Sequence, residues 1–169
     1  MTTTVRRATP GDARAIAEVK VETWREAYAG VMPQPVLDGL DVEEHERIWA
    51  RYVAADGFGV FVAETGGRIV GYASVGPCHD PAGIGELYAI YVRPDSWDTR
   101  AGLALMEAGV TWLAERWHEA VLWVAEENPR ARRFYELYGW TAEATRVEEV
   151  APGAEISEIR YCLSGLDRR

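Results

Sequence analysis

The chain has 169 residues, 48% of them hydrophobic and seven of them tryptophan, a composition that excludes disorder and supplies one domain with a proper core. Its 27 acidic and 18 basic residues leave a formal net charge of -9. Phosphate-backbone binders are normally basic, so nucleic acid is excluded as the main partner, while the overall field would favour a cationic small molecule.

Two cysteines, Cys78 and Cys162, make no disulfide framework and read as free thiols in a reducing cytoplasm. The opening MTTTVRRATPGD lacks the apolar core of a signal peptide, and no apolar run is long enough to span a membrane. The expectation is a cytoplasmic protein with no membrane partner, no internal repeat and a single domain over residues 1–169.

In chain order, residues 2–8 form a short strand. Thr9-Pro10-Gly11-Asp12 then starts a helix, with Thr9 as cap, Pro10 at the first helical position and Asp12 returning to the cap. Ile16, Val19, Thr23 and Ala27 share one face of this helix, which ends near Gly30. Trp24 and Tyr28, one turn apart, are either core or the wall of a pocket, because the following 29–35 turn is rich in Gly and Pro. Residues 34–40 and 42–54 are helical, the second stretch with Ile48, Trp49, Tyr52 and Val53 as its apolar members. Residues 59–64, the Gly66-Gly67 turn and residues 68–75 make a hairpin, and residues 76–85 a loop.

The apolar strand at 87–92 stops at Arg93-Pro94-Asp95, since proline cannot donate to a ladder. After a turn at Ser96-Trp97-Asp98, Leu103, Met106, Val110, Leu113 and Trp117 recur at helical spacing along one stripe. A strand that feeds straight into a helix aims the helix's free N–H groups beyond the strand end, a ready anion site. A strand at 120–125, a helix from Asn128-Pro129 to Gly139, and a hairpin of residues 140–150 and 155–163 across Pro152-Gly153 complete the chain. The tally is mixed α/β around one sheet.

Several chemistries fall away. Cys78-His79-Asp80 are adjacent and cannot easily converge on one ion, and His45, His79 and His118 show no ligand spacing, so no metal is expected. Glu126-Glu127 are neighbours, not carboxyls facing across a cleft, which argues against glycoside hydrolysis. No G-x-G-x-x-G follows a strand, which argues against dinucleotide binding.

Three stretches carry a resemblance to one family. ELYAIYVRPDSWDTRAGLALM is similar to the strand, pyrophosphate loop and helix of the GNAT superfamily of acyl-CoA-dependent N-acetyltransferases. ENPRARRFYELYGW is similar to that family's later N…A..FY…GF segment, and TWREAYAGVMPQPVLDGL to the W…AY.G..P…L pattern of one of its branches. In this order they cover nearly the whole chain. The resemblance implies a central, mostly antiparallel sheet splayed between the fourth and fifth strands and flanked by helices. It also implies acetyl transfer from acetyl-CoA to a primary amine by direct attack, with no metal.

By the same resemblance, the pantetheine arm would pair with the backbone of Ile90, Tyr91 and Val92 like an added strand. The pyrophosphate would sit on backbone N–H groups across Trp97, Asp98, Thr99, Arg100, Ala101, Gly102 and Leu103. Asn128 matches a residue near the pantetheine arm and would also cap the helix before Pro129. Tyr135 matches the general acid that protonates the departing thiolate, a task suited to a phenol that is neutral at pH 7; its alternative is packing beside Phe134 and Tyr138. Glu86 matches a position acidic in many relatives and would be the general base, directly or through water, with its pKa raised by burial. Its alternatives are a solvated strand end or a contact to Arg68. The acceptor cleft would be bordered by Trp24, Tyr28 and the loop to Pro35, with Glu86 below. Tyr88 and Tyr91 are further candidates to line it, on opposite faces if the strand alternates. An antibiotic, a polyamine, an amino acid and a protein N-terminus all stay open as acceptor, and so does a homodimer.

One departure stands out. The family loop Q/R-x-x-G-x-G/A reads here Trp97-Asp98-Thr99-Arg100-Ala101-Gly102, with Arg100 in place of the middle glycine and Asp98 where another glycine is frequent. A carboxylate about 4 Å from a phosphate costs on the order of 1 kcal/mol in water-like surroundings and about 4 when partly buried. Arg100 would offset this through a charge-assisted bond. Alternatively Asp98 or Ser96 caps the helix and Arg100 faces solvent. The expectation is weakened coenzyme A binding, and the rival function is a weak or inactive coenzyme A-binding module that senses or scaffolds.

Overall fold

The computed structural model describes Met1–Arg169. Its strands are β1 (Thr3–Arg7), β2 (Gly59–Thr65), β3 (Arg68–Pro77), β4 (Gly85–Val92), β5 (Glu119–Ala125), β6 (Thr141–Ala151) and β7 (Ala154–Ser164). The helices are α1 (Ala13–Ala27), α2 (Gln34–Asp38), α3 (Val42–Ala54), α4 (Ala101–Ala114) and α5 (Pro129–Tyr138). All seven strands join one sheet in the order β1-β2-β3-β4-β5-β7-β6, antiparallel throughout except for the β4–β5 pair. This is the mixed α/β, mostly antiparallel architecture expected from the sequence.

Strand alternation builds a core on each face. Val60, Val62 and Tyr72 point to one, where Ile16, Ala17 and Val19 of α1 and Trp49 of α3 cover them. Val75, Leu87, Leu122 and Leu163 point to the other, packed by Met106, Val110 and Leu113 of α4 and by Tyr135 of α5. Each such fully buried side chain contributes about 1.5–3 kcal/mol of hydrophobic transfer. The α4 stripe differs from expectation. Leu105, Gly109 and Trp112 are buried, Leu103 is 38% exposed, and Trp117 lies beyond the helix end. A helix that crosses β2, β3 and β4 buries a wider face than one seam, and this leaves Leu103 on the rim.

Three features of β4 position everything that follows. First, β4 meets β5 only through Gly85↔Ala120 and Glu86↔Val121, after which the strands part. Gly85 is required at this vertex, because a Cβ there would come within 2.6 Å of Leu113 and 2.8 Å of Trp117. Second, the β3–β4 register slips: Ser74 faces Ala89 but Val75 faces Leu87, so Tyr88 is an extra, bulged residue. The bulge breaks the alternation and brings Tyr88 and Tyr91 to the same cavity, correcting the expectation of opposite faces. The Tyr88 side chain fits over Gly76, where a Cβ would meet its hydroxyl at 2.7 Å and its ring at 2.8 Å, and its hydroxyl donates to the Pro77 carbonyl. Third, Arg93 just past β4 is only 5% exposed and pairs with Glu22 and, at 3.8 Å, with Glu18, tying the strand end to α1.

The outer strands differ. β1 has five residues, whereas β6 has eleven, is exposed over most of its length, and carries Glu143, Arg146, Glu148 and Glu149. No helix is long and apolar enough to cross a membrane.

The expected start of α1 is present, with its first turn (Pro10–Asp12) of 3-10 type. The Asp12 carboxylate accepts from the Thr9 N–H at 2.8 Å and from both Arg6 terminal nitrogens at 2.8 and 3.0 Å. The Arg6 guanidinium, helped by the Thr9 N–H and opposed by burial, holds this carboxyl down at about 2, against an ordinary 3.8. A depressed folded value stabilises above the unfolded one, so the contribution is full above about pH 4 and is lost as pH falls toward about 2. Asp12→Ala should cost about 1–2 kcal/mol at neutral pH, a melting point lower by roughly 2–8 °C. Thermal melts should show the gap to wild type closing on acidification, and a gap that stays constant refutes this account.

Candidate active site

Where β4 and β5 part, a groove of about 430 Å³ opens. Leu87 to Val92 of β4 form one wall and Trp123, Val124 and Ala125 of β5 the other. Beyond Glu86 the edge of β4 that faces β5 has no strand partner, so its peptide groups look into the groove. The Trp97 indole N–H takes one of them, the Val92 carbonyl, at 2.8 Å.

The start of α4 closes one end. The Thr99 hydroxyl donates to the Ser96 carbonyl at 2.7 Å and accepts from the Ala101 N–H at 3.3 Å. The first helical backbone bond outside the regular ladder runs from Ala104 N–H to the Arg100 carbonyl at 3.0 Å, so the Gly102 and Leu103 N–H groups have no protein partner. Two orphan donors at the positive end of a fourteen-residue helix, opening on a groove, fit a diphosphate. Of the predicted loop residues, Trp97, Thr99, Arg100, Gly102 and Leu103 line the groove, while Ala101 is fully buried behind it. Asp98 is exposed and is not among the residues that line the groove. Neither Asp98 nor Ser96 caps α4. The N-cap position is Arg100, which makes no side-chain cap bond; the Thr99 hydroxyl accepts from the Ala101 N–H, and the Ser96 hydroxyl donates to Asp95 at 2.9 Å.

The sequence reading missed Arg130. From the first turn of α5 its guanidinium stacks 3.7 Å from the Trp97 ring centroid, and it lines the groove. A signal existed in the basic run after Asn128-Pro129, but its aromatic partner lies on a distant loop. Trp97 stands where the family loop carries Gln or Arg, and the structure brings a cation to that place from α5.

The catalytic candidates fall as follows. Ile90, Tyr91, Val92, Asn128 and Tyr135 line the groove. Asn128 also caps α5, accepting from the Ala131 N–H at 3.1 Å, so its two expected roles are geometrically compatible. Tyr135 is buried between Trp140 and Tyr161, with ring centroids at 6.4 and 6.3 Å. Burial, with Tyr91 and Tyr28 nearby, pushes its phenol far up, so it keeps its proton. Glu86 sits half-buried at the vertex of the parted strands and walls neither cavity. Burial raises its carboxyl pKa, opposed by Cys78, Arg146 and His79. The alternative contact to Arg68 is absent, because Arg68 pairs with Asp95 at 3.1 Å. Trp24 and Tyr28 stack at 5.0 Å, half-buried, Tyr28 on the groove and Trp24 on a second cavity of about 260 Å³. The two cavities share Tyr88, Ala89 and Tyr91. No three His, Cys, Asp or Glu side chains converge as a metal site.

An open sheet that parts around a groove, with a helix start at the groove's end, is the arrangement that the resemblance to acyl-CoA-dependent acetyltransferases implies. Residues 21–140 match the acetyltransferase (GNAT) family, and the chain belongs to this superfamily of N-acetyltransferases. It is 35% identical over 160 residues to the uncharacterized N-acetyltransferase YuaI of Bacillus subtilis strain 168, covering 92% of this chain and 90% of that one. In fold it resembles PaiA N-acetyltransferase from Thermoplasma acidophilum in complex with coenzyme A (TM-score 0.72, 19% identity, 94% of this chain and 98% of the other). It also resembles YncA from Salmonella typhimurium with its cofactor acetyl-CoA (TM-score 0.75, 22% identity, 100% of this chain and 96% of the other).

Arg130→Ala removes the stacked cation without touching the core. Calorimetry should then show acetyl-CoA binding weakened about tenfold, close to one charge-assisted contact, and a shallower salt dependence. Undiminished affinity would mean that Arg130 only shields Trp97.

Proposed function

We propose that this enzyme transfers the acetyl group of acetyl-CoA to a primary amine of a small-molecule or peptide acceptor by direct attack. One observation carries the reading: the unpaired edge of β4 and the unpaired N–H groups that start α4 open into a single groove. The backbone of Ile90, Tyr91 and Val92 would hold the pantetheine arm as an added strand, with Asn128 beside it. The amides from Thr99 to Leu103 would hold the diphosphate, with Arg100 and Arg130 supplying charge. The placement of Asp98 outside the groove takes away the main ground for an inactive coenzyme A-binding module. The free Cys78 and Cys162 suit a reducing, cytoplasmic setting.

Acetyl-CoA brings an acyl group already activated as a thioester, so the chain need only move protons and orient the amine. Tyr135 holds a proton on its hydroxyl and gives it to the departing sulfur. Glu86, its carboxyl made more basic by burial, removes the proton of the attacking amine. Because Glu86 stands off the groove wall, a water carries that proton to it. Tyr28 and Tyr91 border the path of the acceptor.

Tyr135→Phe should lower kcat by about 100-fold in a thiol-release assay over an amine panel, leaving acetyl-CoA affinity nearly intact. Unchanged turnover and pH profile would falsify the acid role. With Glu86 as base, kcat/KM should rise with pH through the Glu86 titration, since only the carboxylate accepts a proton. Glu86→Gln should abolish that limb. A variant that retains both rate and limb takes the base role from Glu86.

A further inference from the structure

The second cavity has walls that the acyl-transfer scheme leaves unexplained. Trp24, Trp49, Tyr52, Tyr72, Tyr88 and Tyr91 enclose it, and none of its ten lining residues is acidic. At one side stands Lys20, whose ammonium lies 5.2 Å from the Trp24 ring centroid. Lys20 is half-buried and forms no ion pair, although acidic residues outnumber basic ones in the chain by 27 to 18. Burial pushes its pKa down, and the nearby His45 is pushed down by burial and by Lys20. The walls of the cavity are otherwise mostly aromatic and apolar; the Tyr72 ring is fully buried behind them, and the Trp24 indole N–H lies beside the Tyr91 hydroxyl.

The arrangement discriminates between acceptor classes. An aromatic box alone would suit a cation lying on ring faces. Here that place is taken by the protein's own ammonium, so a polyamine would set like charge against like in a partly dry site. A cavity that offers one cation among aromatic walls and no carboxylate is built for an anion with an apolar body. Its volume of about 260 Å³ lies just below the roughly 300–1,000 Å³ of sites that enclose drug-sized ligands, which points to one small molecule. Lys20, Trp24 and Tyr28 follow one another at four-residue spacing along α1, so one helix stripe runs from the ammonium to the acyl-transfer groove.

We propose that this cavity binds the carboxylate-bearing body of the acceptor, which is a small amino acid with an apolar or aromatic side chain. Its carboxylate lies on Lys20 and its amine reaches the groove past Tyr88 and Tyr91. The inference rests on the acyl-transfer reading for the direction of the amine, but the cavity's preference for a carboxylate can be read without turnover.

Two measurements on the full chain test it. Thiol release from acetyl-CoA is followed with leucine, methionine, phenylalanine and tryptophan, each beside its decarboxylated amine. Calorimetry in the presence of coenzyme A follows the N-acetyl derivatives of the same pairs. At least one amino acid should exceed its decarboxylated partner by about tenfold or more in kcat/KM, and its N-acetyl derivative in affinity, the size of one well-made charged contact. Lys20→Gln should erase the difference within each pair while acetyl-CoA affinity stays unchanged. A Lys20-dependent carboxylate preference in calorimetry without any thiol release supports the cavity assignment and overturns the acyl-transfer reading. Turnover with no preference for the carboxylate member of any pair, or a preference that survives Lys20→Gln, overturns the cavity assignment and leaves acyl transfer standing. Absence of both turnover and carboxylate binding overturns both.

Discussion

The separation of β4 from β5 after two residue pairs is the constraint from which the rest of the molecule follows. Parallel neighbours in one sheet would ordinarily stay paired along their length, and each peptide group left over has to find another partner. Here the parting is held open from three sides. α4 packs so closely on Gly85 that the vertex admits no side chain. The Tyr88 bulge interrupts the β3–β4 register just where β4 leaves β5, and Arg93 fastens the far end of β4 to the carboxylates of α1. A rigid frame therefore surrounds an unfilled backbone edge, which makes the edge a site instead of a defect.

Recognition at such a site belongs to the main chain, and this explains how the loop before α4 tolerates unusual side chains. Orphan amides at Gly102 and Leu103 stand at the groove whatever side chain occupies the position of Asp98, which lies off the groove wall. Charge is restored from elsewhere. Arg130 reaches across from α5 and lies flat on Trp97, so the large ring at the first loop position is the platform for a guanidinium. In the proposed enzyme, loop and helix together would do what a glycine-rich turn does alone.

Much of this was legible in the sequence because it is locally encoded. Gly66-Gly67 and Pro152-Gly153 mark hairpin turns, Asn128-Pro129 marks a helix start, and the passage from an apolar strand into a helix at residues 87–106 carries its own periodicities. What stayed hidden depends on partners distant in the chain. The bulge at Tyr88 is a property of the β3 register, and no alternation count along β4 alone reveals it. The burial of Arg93 depends on α1, the stack on Trp97 on α5, and the exposure of Leu103 on how broadly α4 lies across the sheet. That Thr99, and not Asp98 or Ser96, bonds the Ala101 N–H is a competition that residue types leave undecided.

The two outer strands give the groove a wider meaning. A bare strand edge invites a neighbouring molecule to extend the sheet, the route to misassembly. One margin of this sheet is merely short, at β1, and the other, β6, is studded with Glu143, Glu148 and Glu149 and cross-braced by Arg146–Glu158 at 2.8 Å. Both margins thus discourage intermolecular β-pairing, so the place left for an incoming extended chain is the unpaired strand edge inside the cleft.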